Sequence, residues 1–226
     1  MIDINNLSKQ FGKQRVLHNM HVQFEQGKVY GIVGENGAGK TTLFRCLAGL
    51  EDFEGEITSD LQPLKHHLGL LLTEPYFFPK ITGQEYIRLL CNARNTSITD
   101  IATKNVFDLP LHKYAAQYST GMKKKLALTA ILLQGNSYFI LDEPFNGVDI
   151  QSNMMIVEII HQLKALQKTV IISSHIFSTL SDTCDTIHVL QNGSITQTVQ
   201  KADFAALEQT MKNVTIGNKL QQLGLV

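Results

Sequence analysis

The segment that decides the fold is Val29-Tyr30-Gly31-Ile32-Val33 followed by Gly34-Glu35-Asn36-Gly37-Ala38-Gly39-Lys40-Thr41. The first five residues form a mostly apolar run, which is typical of a strand buried on both faces of a parallel sheet. Thr41-Thr42-Leu43-Phe44 then predicts the start of a helix. The residues between strand and helix fit the pattern G-x-x-x-x-G-K-[ST], a glycine-rich loop that surrounds phosphates with backbone N–H groups. We therefore predict a phosphate loop that holds a nucleotide together with Mg²⁺.

Each residue type in this loop has a physical reason. Glycine lets the backbone turn tightly and aim several N–H groups inward, and the N-terminus of the following helix favours negative charge. Lys40 is expected to reach the β- and γ-phosphates and to stabilise developing charge, and the Thr41 hydroxyl to ligate Mg²⁺. The predicted nucleotide-binding residues of the loop are Gly34, Asn36, Gly37, Ala38, Gly39, Lys40, Thr41 and Thr42.

Two further predicted strands end in polar side chains. Residues 138–141 lead into Asp142 and Glu143, and residues 169–173 lead into Ser174 and His175. Because ligands of parallel sheets lie at the carboxyl ends of the strands, we expect these side chains beside the phosphate loop. Asp142 is predicted to hold Mg²⁺ through water, and Glu143 to polarise an attacking water. Taken alone, the acidic pair could equally be a solvated turn.

Several motifs follow the loop in order along the chain. They are Tyr118-Ser119-Thr120-Gly121-Met122, Leu141-Asp142-Glu143-Pro144, Asn146-Gly147-Val148-Asp149 and Ser173-Ser174-His175. Together with the phosphate loop they resemble the motifs of the ATP-binding subunits of ABC transporters, over about residues 1–200. The first of them is similar to the family signature Leu-Ser-Gly-Gly-Gln. Ser119 also opens a predicted helix, so its hydroxyl and the free N–H groups would form a second anion site.

The resemblance implies a head-to-tail dimer that encloses two ATP molecules, with an identical chain or a paralogue as the second ATPase subunit. Each ATP would contact the phosphate loop of one chain and Ser119 with Gly121 of the other. Asp149 would lie in the family's D-loop and belong to the nucleotide site, and His175 would contact the γ-phosphate as a catalytic residue beside Glu143 and Lys40. Phe11 would stack on adenine, with burial in the N-terminal β subdomain as the alternative.

Several positions depart from the family pattern. Thr73 stands where a glutamine is usual and is too short to reach Mg²⁺ as glutamine does, although the adjacent Glu74 could be a metal ligand. Thr120 adds a side chain where a glycine backbone approaches phosphate, and Lys125 replaces an arginine that would bind in a bidentate manner. We expect hydrolysis that is real but slow. At least two of the lysines at 123–125 are expected on a solvated helix face.

The expected fold class is α/β. The resemblance makes it the ABC-ATPase form of the P-loop NTPase fold, with a mainly parallel core sheet, an N-terminal antiparallel β subdomain and an inserted α-helical subdomain. Helices are predicted at 81–90, 98–106 and 120–133. The expected division of a single domain, residues 1–226, is 1–73 and 136–200 for the ATP-binding core with the β subdomain, 74–135 for the helical signature subdomain, and 201–226 for a C-terminal helical tail.

Composition narrows the class of partner. Twenty basic residues balance twenty acidic ones, so net charge gives no reason to expect nucleic-acid binding. Cys46, Cys91 and Cys184 lack metal-ligand spacing and predict free thiols in a reducing compartment. The chain start lacks a signal-peptide pattern, and no apolar run approaches the roughly 20 residues that cross a bilayer. We expect a cytoplasmic protein held peripherally on the cytoplasmic face of the cell membrane by a separate transmembrane permease subunit.

Pro75-Tyr76-Phe77-Phe78-Pro79 is a candidate contact with that permease. Aromatic residues between prolines do not fit a long helix. They indicate either local core packing or the wall of an apolar groove that receives a short coupling helix from a membrane partner.

Other functions carry weaker support from the sequence. A soluble ABC ATPase acting on ribosomes or DNA usually carries two cassettes or a long coiled-coil insert, and this chain has neither. A GTPase would need Asn-Lys-x-Asp, whereas residues 218–221 read Asn-Lys-Leu-Gln, and a kinase would not need the signature or His175. A slow nucleotide-dependent regulator remains open because of Thr73 and Thr120. Within the transporters, Gly-Met-Lys after Ser119 most resembles exporters of the ABC-2 class.

Overall fold

Five parallel strands form the centre of the structure, a computed structural model that describes residues 1–213. A sixth strand extends the sheet in the antiparallel sense, through a hairpin that turns at Asn192-Gly193. In sheet order the strands are β5 (Leu68–Leu71), β6 (Tyr138–Asp142), β7 (Thr169–Ser173), β3 (Val29–Val33), β8 (Thr186–Gln191) and β9 (Ser194–Gln200). The three predicted buried strands are therefore confirmed as the central strands β6, β7 and β3.

Both faces of this sheet are covered, which explains the apolar runs. Along β6, Phe139 and Leu141 pack into one hydrophobic cluster, while Tyr138 and Ile140 pack into another on the opposite face. Successive side chains of a strand point to opposite faces, so a strand buried on both sides needs apolar residues at every position.

The predicted antiparallel β subdomain is also confirmed. It is a three-stranded sheet in the order β2 (Gln14–Phe24), β1 (Ile2–Phe11) and β4 (Glu54–Ser59). Ile2 pairs with Phe24, as the alternation at both chain segments predicts. The buried side of this small sheet shares one hydrophobic cluster with α1 (Lys40–Leu47) and with one face of the central sheet.

The remaining helices share the other face. They are α2 (Gly83–Asn92), α3 (Thr120–Leu133), α4 (Ile150–Ala165), α5 (Phe177–Thr183) and α6 (Phe204–Lys212). Each contributes buried apolar side chains to one cluster with the sheet, for example Ile87, Leu128, Ile160, Leu180 and Leu207. The core of the helical insert is therefore continuous with the core beneath the sheet. Within residues 1–213, no helix is both long enough and apolar enough to cross a membrane.

Two of the predicted helices are confirmed, one of them with shifted boundaries. The helix predicted at 120–133 is α3, and the one at 81–90 is α2, shifted by two residues because Thr82 caps it. The Thr82 hydroxyl accepts from the Glu85 N–H at 3.3 Å, and the Glu85 carboxylate accepts from the Thr82 N–H at 2.8 Å. This reciprocal capping box satisfies two backbone donors at the helix start. Within the expected helical tail, the structure has α6 at Phe204–Lys212, and residues 214–226 lie outside the described part.

The helix predicted at 98–106 is wrong. The structure has only a short 3₁₀ turn at Ala102–Lys104. Asp100 adopts a left-handed backbone conformation with φ 57°, which interrupts a right-handed helix. The Asn105 side chain accepts from the Leu109 N–H and donates to the Leu109 carbonyl. Such local side-chain hydrogen bonds to the backbone compete with helix formation.

The aromatic segment at 75–79 divides its side chains between core and solvent. The Phe77 ring packs against the buried Tyr86 ring, with centroids 4.5 Å apart. Tyr76 and Phe78 are 72% and 52% exposed and contact each other edge to face. Core packing therefore describes Phe77, whereas Tyr76 and Phe78 form a small exposed apolar surface, named here the aromatic pair.

The opposite burial of two neighbours gives a testable prediction. Phe77→Asp removes ring packing and forces a charge toward an apolar site, so the free energy of unfolding should fall by about 2 kcal/mol or more. Tyr76→Asp changes an exposed ring and should stay within about 0.5 kcal/mol of the wild type. Urea unfolding followed by circular dichroism measures both. Equal losses in the two variants would contradict the assignment of Phe77 to the core.

Candidate functional site

Loops that follow four of the parallel strands surround one cavity of about 730 Å³. The β subdomain closes it on one side. Its lining residues are Phe11, Val16, Asn36, Gly37, Gly39, Lys40, Thr41, Thr42, Thr73, Asp142, Glu143, Asn146 and His175. The structure therefore brings together most of the phosphate loop with the acidic pair, the histidine and the aromatic residue predicted from the sequence.

The phosphate loop is held in shape by its own lysine. The Lys40 ammonium donates to the carbonyls of Gly34 at 2.7 Å and Glu35 at 3.1 Å, and it has a third N–H for another acceptor. Gly39, with φ 110°, precedes α1 in a conformation that L side chains rarely adopt. The helix thus begins directly at the loop, and its unpaired first N–H groups favour an anion there. Of the predicted loop residues, Ala38 faces a neighbouring cavity instead.

Asp142 lies almost fully buried at the end of β6 and receives three hydroxyl groups. Its Oδ2 accepts from Thr41 at 2.7 Å and from Thr73 at 2.8 Å, and its Oδ1 accepts from Ser173 at 2.6 Å. Hydrogen bonds to a carboxylate compensate for the loss of its hydration. The contact with Thr41 places the two predicted metal-binding side chains within hydrogen-bonding distance of each other.

Glu143 is the next residue, and its backbone is unusual. It has φ 52°, in the left-handed region that non-glycine residues seldom occupy. Its N–H donates to the Ser173 hydroxyl at 3.0 Å, which holds this turn against the end of β7. Its Oε2 lies 2.7 Å from Nδ1 of His175. The side chains of Glu143 and His175, both predicted to be catalytic, are therefore direct partners at the edge of the cavity.

Thr73 has a role in the structure that the sequence comparison did not predict. It is too short to replace a glutamine, but its hydroxyl binds the carboxylate that is predicted to hold the metal. Glu74, proposed as a possible metal ligand, is exposed and makes no hydrogen bond or ion pair with any residue in the described part of the chain. Of these neighbours, Thr73 is the one that joins the loop after β5 to the site.

Phe11 is not buried in the β subdomain. Its ring is 45% exposed and lines the cavity, as expected for a residue that stacks on a base. The Lys9 ammonium lies 4.6 Å from the ring centroid, a cation–π contact. Lys9 is itself held by Asp52 at 2.5 Å and Glu51 at 3.3 Å, and the hydrogen bond to Asp52 raises the pKa of the lysine.

Five predicted nucleotide-binding residues do not line this cavity: Gly34 and Ala38 of the phosphate loop, and Ser119, Gly121 and Asp149. Ser119 caps α3, where its hydroxyl accepts from the Met122 N–H at 3.3 Å. Asp149 caps α4, and the backbone hydrogen bond from Ser152 holds the pKa of its carboxyl well below the usual range. Neither these two residues nor Gly121 lines the cavity. The chain therefore does not bring its signature segment to its own phosphate loop.

The expectation of two solvated lysines at 123–125 is wrong. Lys124 is 1% exposed, and Lys125 is 13% exposed with its ammonium 3.1 Å from Asp149. The helical period carried this signal, because Lys124 lies three residues after the buried Gly121 and four before the buried Leu128. Only Lys123 is partly exposed without a side-chain hydrogen bond or ion pair within residues 1–213.

Sequence reasoning also missed three residues near the nucleotide cavity. Val16 and Asn146 line it, and Ser173 supports both acidic residues. Ser173 ends an apolar strand, so a polar side chain buried at that position was a usable signal. For Val16, which sits on the β subdomain, we find no local signal.

Comparison with known proteins identifies relatives of this chain. The family model described as ABC transporter matches residues 17–146. The lantibiotic transport ATP-binding protein SrtF of Streptococcus pyogenes is 29% identical over 97% of this chain and 99% of its own length. The bacitracin transport ATP-binding protein BcrA of Bacillus licheniformis is 31% identical over 88% of this chain and 69% of its own length.

A solved structure confirms the expected fold class. It is the dimeric post-hydrolysis state of the ATP-binding cassette MJ0796 with ADP and Pi, which has a TM-score of 0.80 at 18% identity. The match covers 89% of this chain and 99% of that one. At this identity, the likeness is one of fold.

The Thr73 contact gives a testable prediction. Thr73→Val keeps the shape of the side chain but removes one hydroxyl donor from a buried carboxylate, so the free energy of unfolding should fall by about 1–3 kcal/mol. Thr73→Ser keeps the hydroxyl and should recover most of the loss. Chemical denaturation of the nucleotide-free protein provides the measurement. A Thr73→Val variant as stable as wild type would mean that the hydroxyl contributes nothing to holding Asp142.

Proposed function

Since this chain belongs to the ABC transporter family, we propose that it is the ATP-hydrolysing subunit of a transporter and drives a separate transmembrane permease. Family membership makes it an ATP-binding protein and an ATPase. The observation that carries the proposal is the cavity at the strand ends, where the phosphate loop meets Asp142 and the pair of Glu143 and His175. Those side chains are the ones that ATP hydrolysis needs.

The proposed division of the domain follows the expected boundaries. Residues 1–73 and 136–200 form the ATP-binding core with its β subdomain, and residues 74–135 form the helical subdomain that carries the signature. The remainder, 201–226, is a C-terminal tail. The capping box at Thr82 and the signature helix α3 both lie inside the proposed insert.

In the proposed mechanism, each side chain acts on the nucleotide from a fixed position. The loop N–H groups and Lys40 bind the phosphates and stabilise the charge that develops on them. Glu143 would position and polarise the attacking water, and His175, its hydrogen-bond partner, would contact the γ-phosphate. Phe11 stacks on adenine. Thr73 acts through Asp142 and does not touch the reacting atoms.

The residues around Asp142 suit Mg²⁺, which binds oxygen ligands. Thr41 and Asp142 are the side chains that would hold it, the latter through water. Glu74 is exposed, and the proposal does not include it as a ligand. Within residues 1–213, no group of three or more His, Cys, Asp or Glu side chains could hold a metal by itself. In the proposal, Mg²⁺ would be bound by Thr41 and Asp142 together with the phosphates and would neutralise charge on the nucleotide.

We propose that a second chain completes the site. Ser119 is exposed at the start of α3 and far enough from the cavity that it does not line it. A head-to-tail dimer would bring Ser119 and Gly121 of one subunit to the ATP held by the other, with Asp149 at the same junction. Two Mg-ATP molecules would then lie between the subunits.

The aromatic pair supports a permease as the other partner. Tyr76 and Phe78 expose apolar rings that contact each other, and contiguous exposed apolar surface is typical of protein contact sites. The named relatives act in lantibiotic and bacitracin transport. We accordingly propose an exporter subunit of the ABC-2 class on the cytoplasmic face of the membrane, with no role for nucleic acid.

The dimer is tested with Glu143→Gln. Removing the carboxylate should lower the hydrolysis rate at least about 100-fold, since a general base contributes about 10²–10⁴. ATP binding should persist, because the loop is untouched. Solution mass measured by light scattering should be that of a dimer with Mg-ATP and of a monomer with Mg-ADP.

Lys40→Ala is the control for that measurement. It removes the phosphate-binding ammonium, so the variant should bind ATP much more weakly and stay monomeric with either nucleotide. Unchanged ATP affinity in Lys40→Ala would contradict the phosphate-loop assignment. If Glu143→Gln binds ATP yet stays monomeric, the homodimer proposal fails, and a paralogous partner or a slow nucleotide-dependent regulator gains support.

The permease contact is tested with Tyr76→Asp, which should fold normally. In its native cell the variant should move from the membrane fraction to the soluble fraction, because a charge replaces apolar contact area. Its ATPase rate as a purified protein should equal that of wild type. A charge change at the exposed Leu166, Leu166→Asp, is the matched control and should leave membrane association intact. Unchanged association of Tyr76→Asp would exclude the aromatic pair as the docking surface.

A further inference from the structure

The start of α3 is packed directly against the turn that follows Glu143. A Cβ atom added to Gly121 would lie 2.5 Å from the Gly147 carbonyl oxygen, closer than real Cβ contacts come. Glycine at this position therefore lets the helix and the turn touch backbone to backbone. The signature segment and the 143–149 turn thus form one packed unit within the chain.

The Lys124 side chain links the helix and the turn within this unit. Its ammonium is buried and donates to the carbonyl of Glu143 at 2.6 Å and to the carbonyl of Asn146 at 3.0 Å. Burial lowers the pKa of this lysine, while the negative charges of Glu143, Asp142 and Glu74 oppose that shift. One side chain from the first turns of α3 therefore binds two carbonyl groups of the turn that follows Glu143.

A second lysine binds the C-terminal end of the same turn. Lys125 donates to Asp149 at 3.1 Å and to the Ser152 hydroxyl at 3.0 Å. On the opposite side, the Glu143 N–H is held by Ser173. The left-handed backbone of Glu143 is therefore held at its carbonyl by Lys124 and at its N–H by Ser173, which is how an unfavourable conformation persists in a folded protein.

We propose that Lys124 is a positioning residue that locks the Glu143 turn to the start of α3, so that phosphate bound at the Ser119 end of the helix and the Glu143 carboxylate are coupled. This inference rests on the proposed function. In a head-to-tail dimer, Ser119 contacts one ATP while Glu143 of the same chain acts on the other. Lys124 would then link the two ATP sites through a single side chain.

The physical reason lies in the two carbonyl groups. Without the ammonium, the Asn146 carbonyl would lose this donor, and the Glu143 carbonyl would keep the Asn146 N–H at 3.2 Å. Polar groups that lose a hydrogen-bond partner in a folded protein raise its free energy. The turn would relax to regain hydrogen bonds, and the Glu143 carboxylate would move with it. A displacement of about 1 Å at a catalytic group can cost about 100-fold in rate. The phosphate loop would be unaffected because Lys124 does not contact it.

The test compares Lys124→Met with Lys123→Met, its matched neighbour on the same helix. Steady-state hydrolysis measured against ATP concentration should show kcat reduced about tenfold or more for Lys124→Met, KM within about twofold, and a Hill coefficient that falls from above 1 to about 1. Hydrogen–deuterium exchange of peptides spanning 143–149 should be faster in this variant. Lys123→Met should match wild type in all four readouts.

Each outcome decides the question. Wild-type kcat and exchange in Lys124→Met would overturn the positioning role, and an unchanged Hill coefficient, or a wild-type value of 1, would overturn the link between sites. If Lys124→Met does not fold, Lys124→Arg replaces it, because arginine keeps the positive charge and the N–H donors. Its kcat should be well above that of Gly121→Ala, in which the added methyl group pushes the helix and the turn apart. Equal losses of kcat in these two variants would overturn the proposal. Failure of the proposed function is distinct, because the wild type itself would then not hydrolyse ATP.

Discussion

The site depends on one buried carboxylate. Asp142 ends the central strand β6, and its two oxygens collect hydroxyl groups from the start of α1, from the end of β5 and from the end of β7. A buried carboxylate is tolerated only when such donors replace water. Three chain segments that are distant in sequence must therefore meet at one point, and this requirement sets the register in which the strand ends carry the phosphate loop, Glu143 and His175.

Much of the fold was predictable because its strands are buried on both faces. Residues 29–33, 138–141 and 169–173 are apolar at nearly every position, a pattern that few other environments produce. The phosphate loop and the strand-end residues were predictable for a related reason, since a parallel sheet brings its carboxyl ends together whatever the loops contain. Local periodicity and the geometry of sheets were sufficient for these parts.

The remaining features depend on contacts between segments that sequence alone does not pair. Thr73 occupies a position where the family usually has glutamine, so the sequence indicated only a lost function. Its hydrogen bond to Asp142 becomes visible only when the ends of β5 and β6 lie side by side. Lys124 belongs to a run of three lysines that predicted a solvated helix face. Its helical spacing indicated burial, but the local sequence did not identify the two carbonyl groups that its ammonium binds. At 98–106 the apolar spacing favoured a helix, and the Asn105 side chain overrode it through bonds to the Leu109 backbone.

The spacing between Thr73 and the aromatic pair has a mechanical consequence. Tyr76 is three residues from Thr73, a reach of at most about 11 Å of extended chain, and Phe77 pins the segment to Tyr86 between the two exposed rings. The segment is therefore short and is anchored in the core at Phe77. A displacement of the exposed rings would therefore have to pass through only a few residues of one loop to reach the hydroxyl group that binds Asp142. The chain path between the outer surface and the nucleotide cavity is a single short loop.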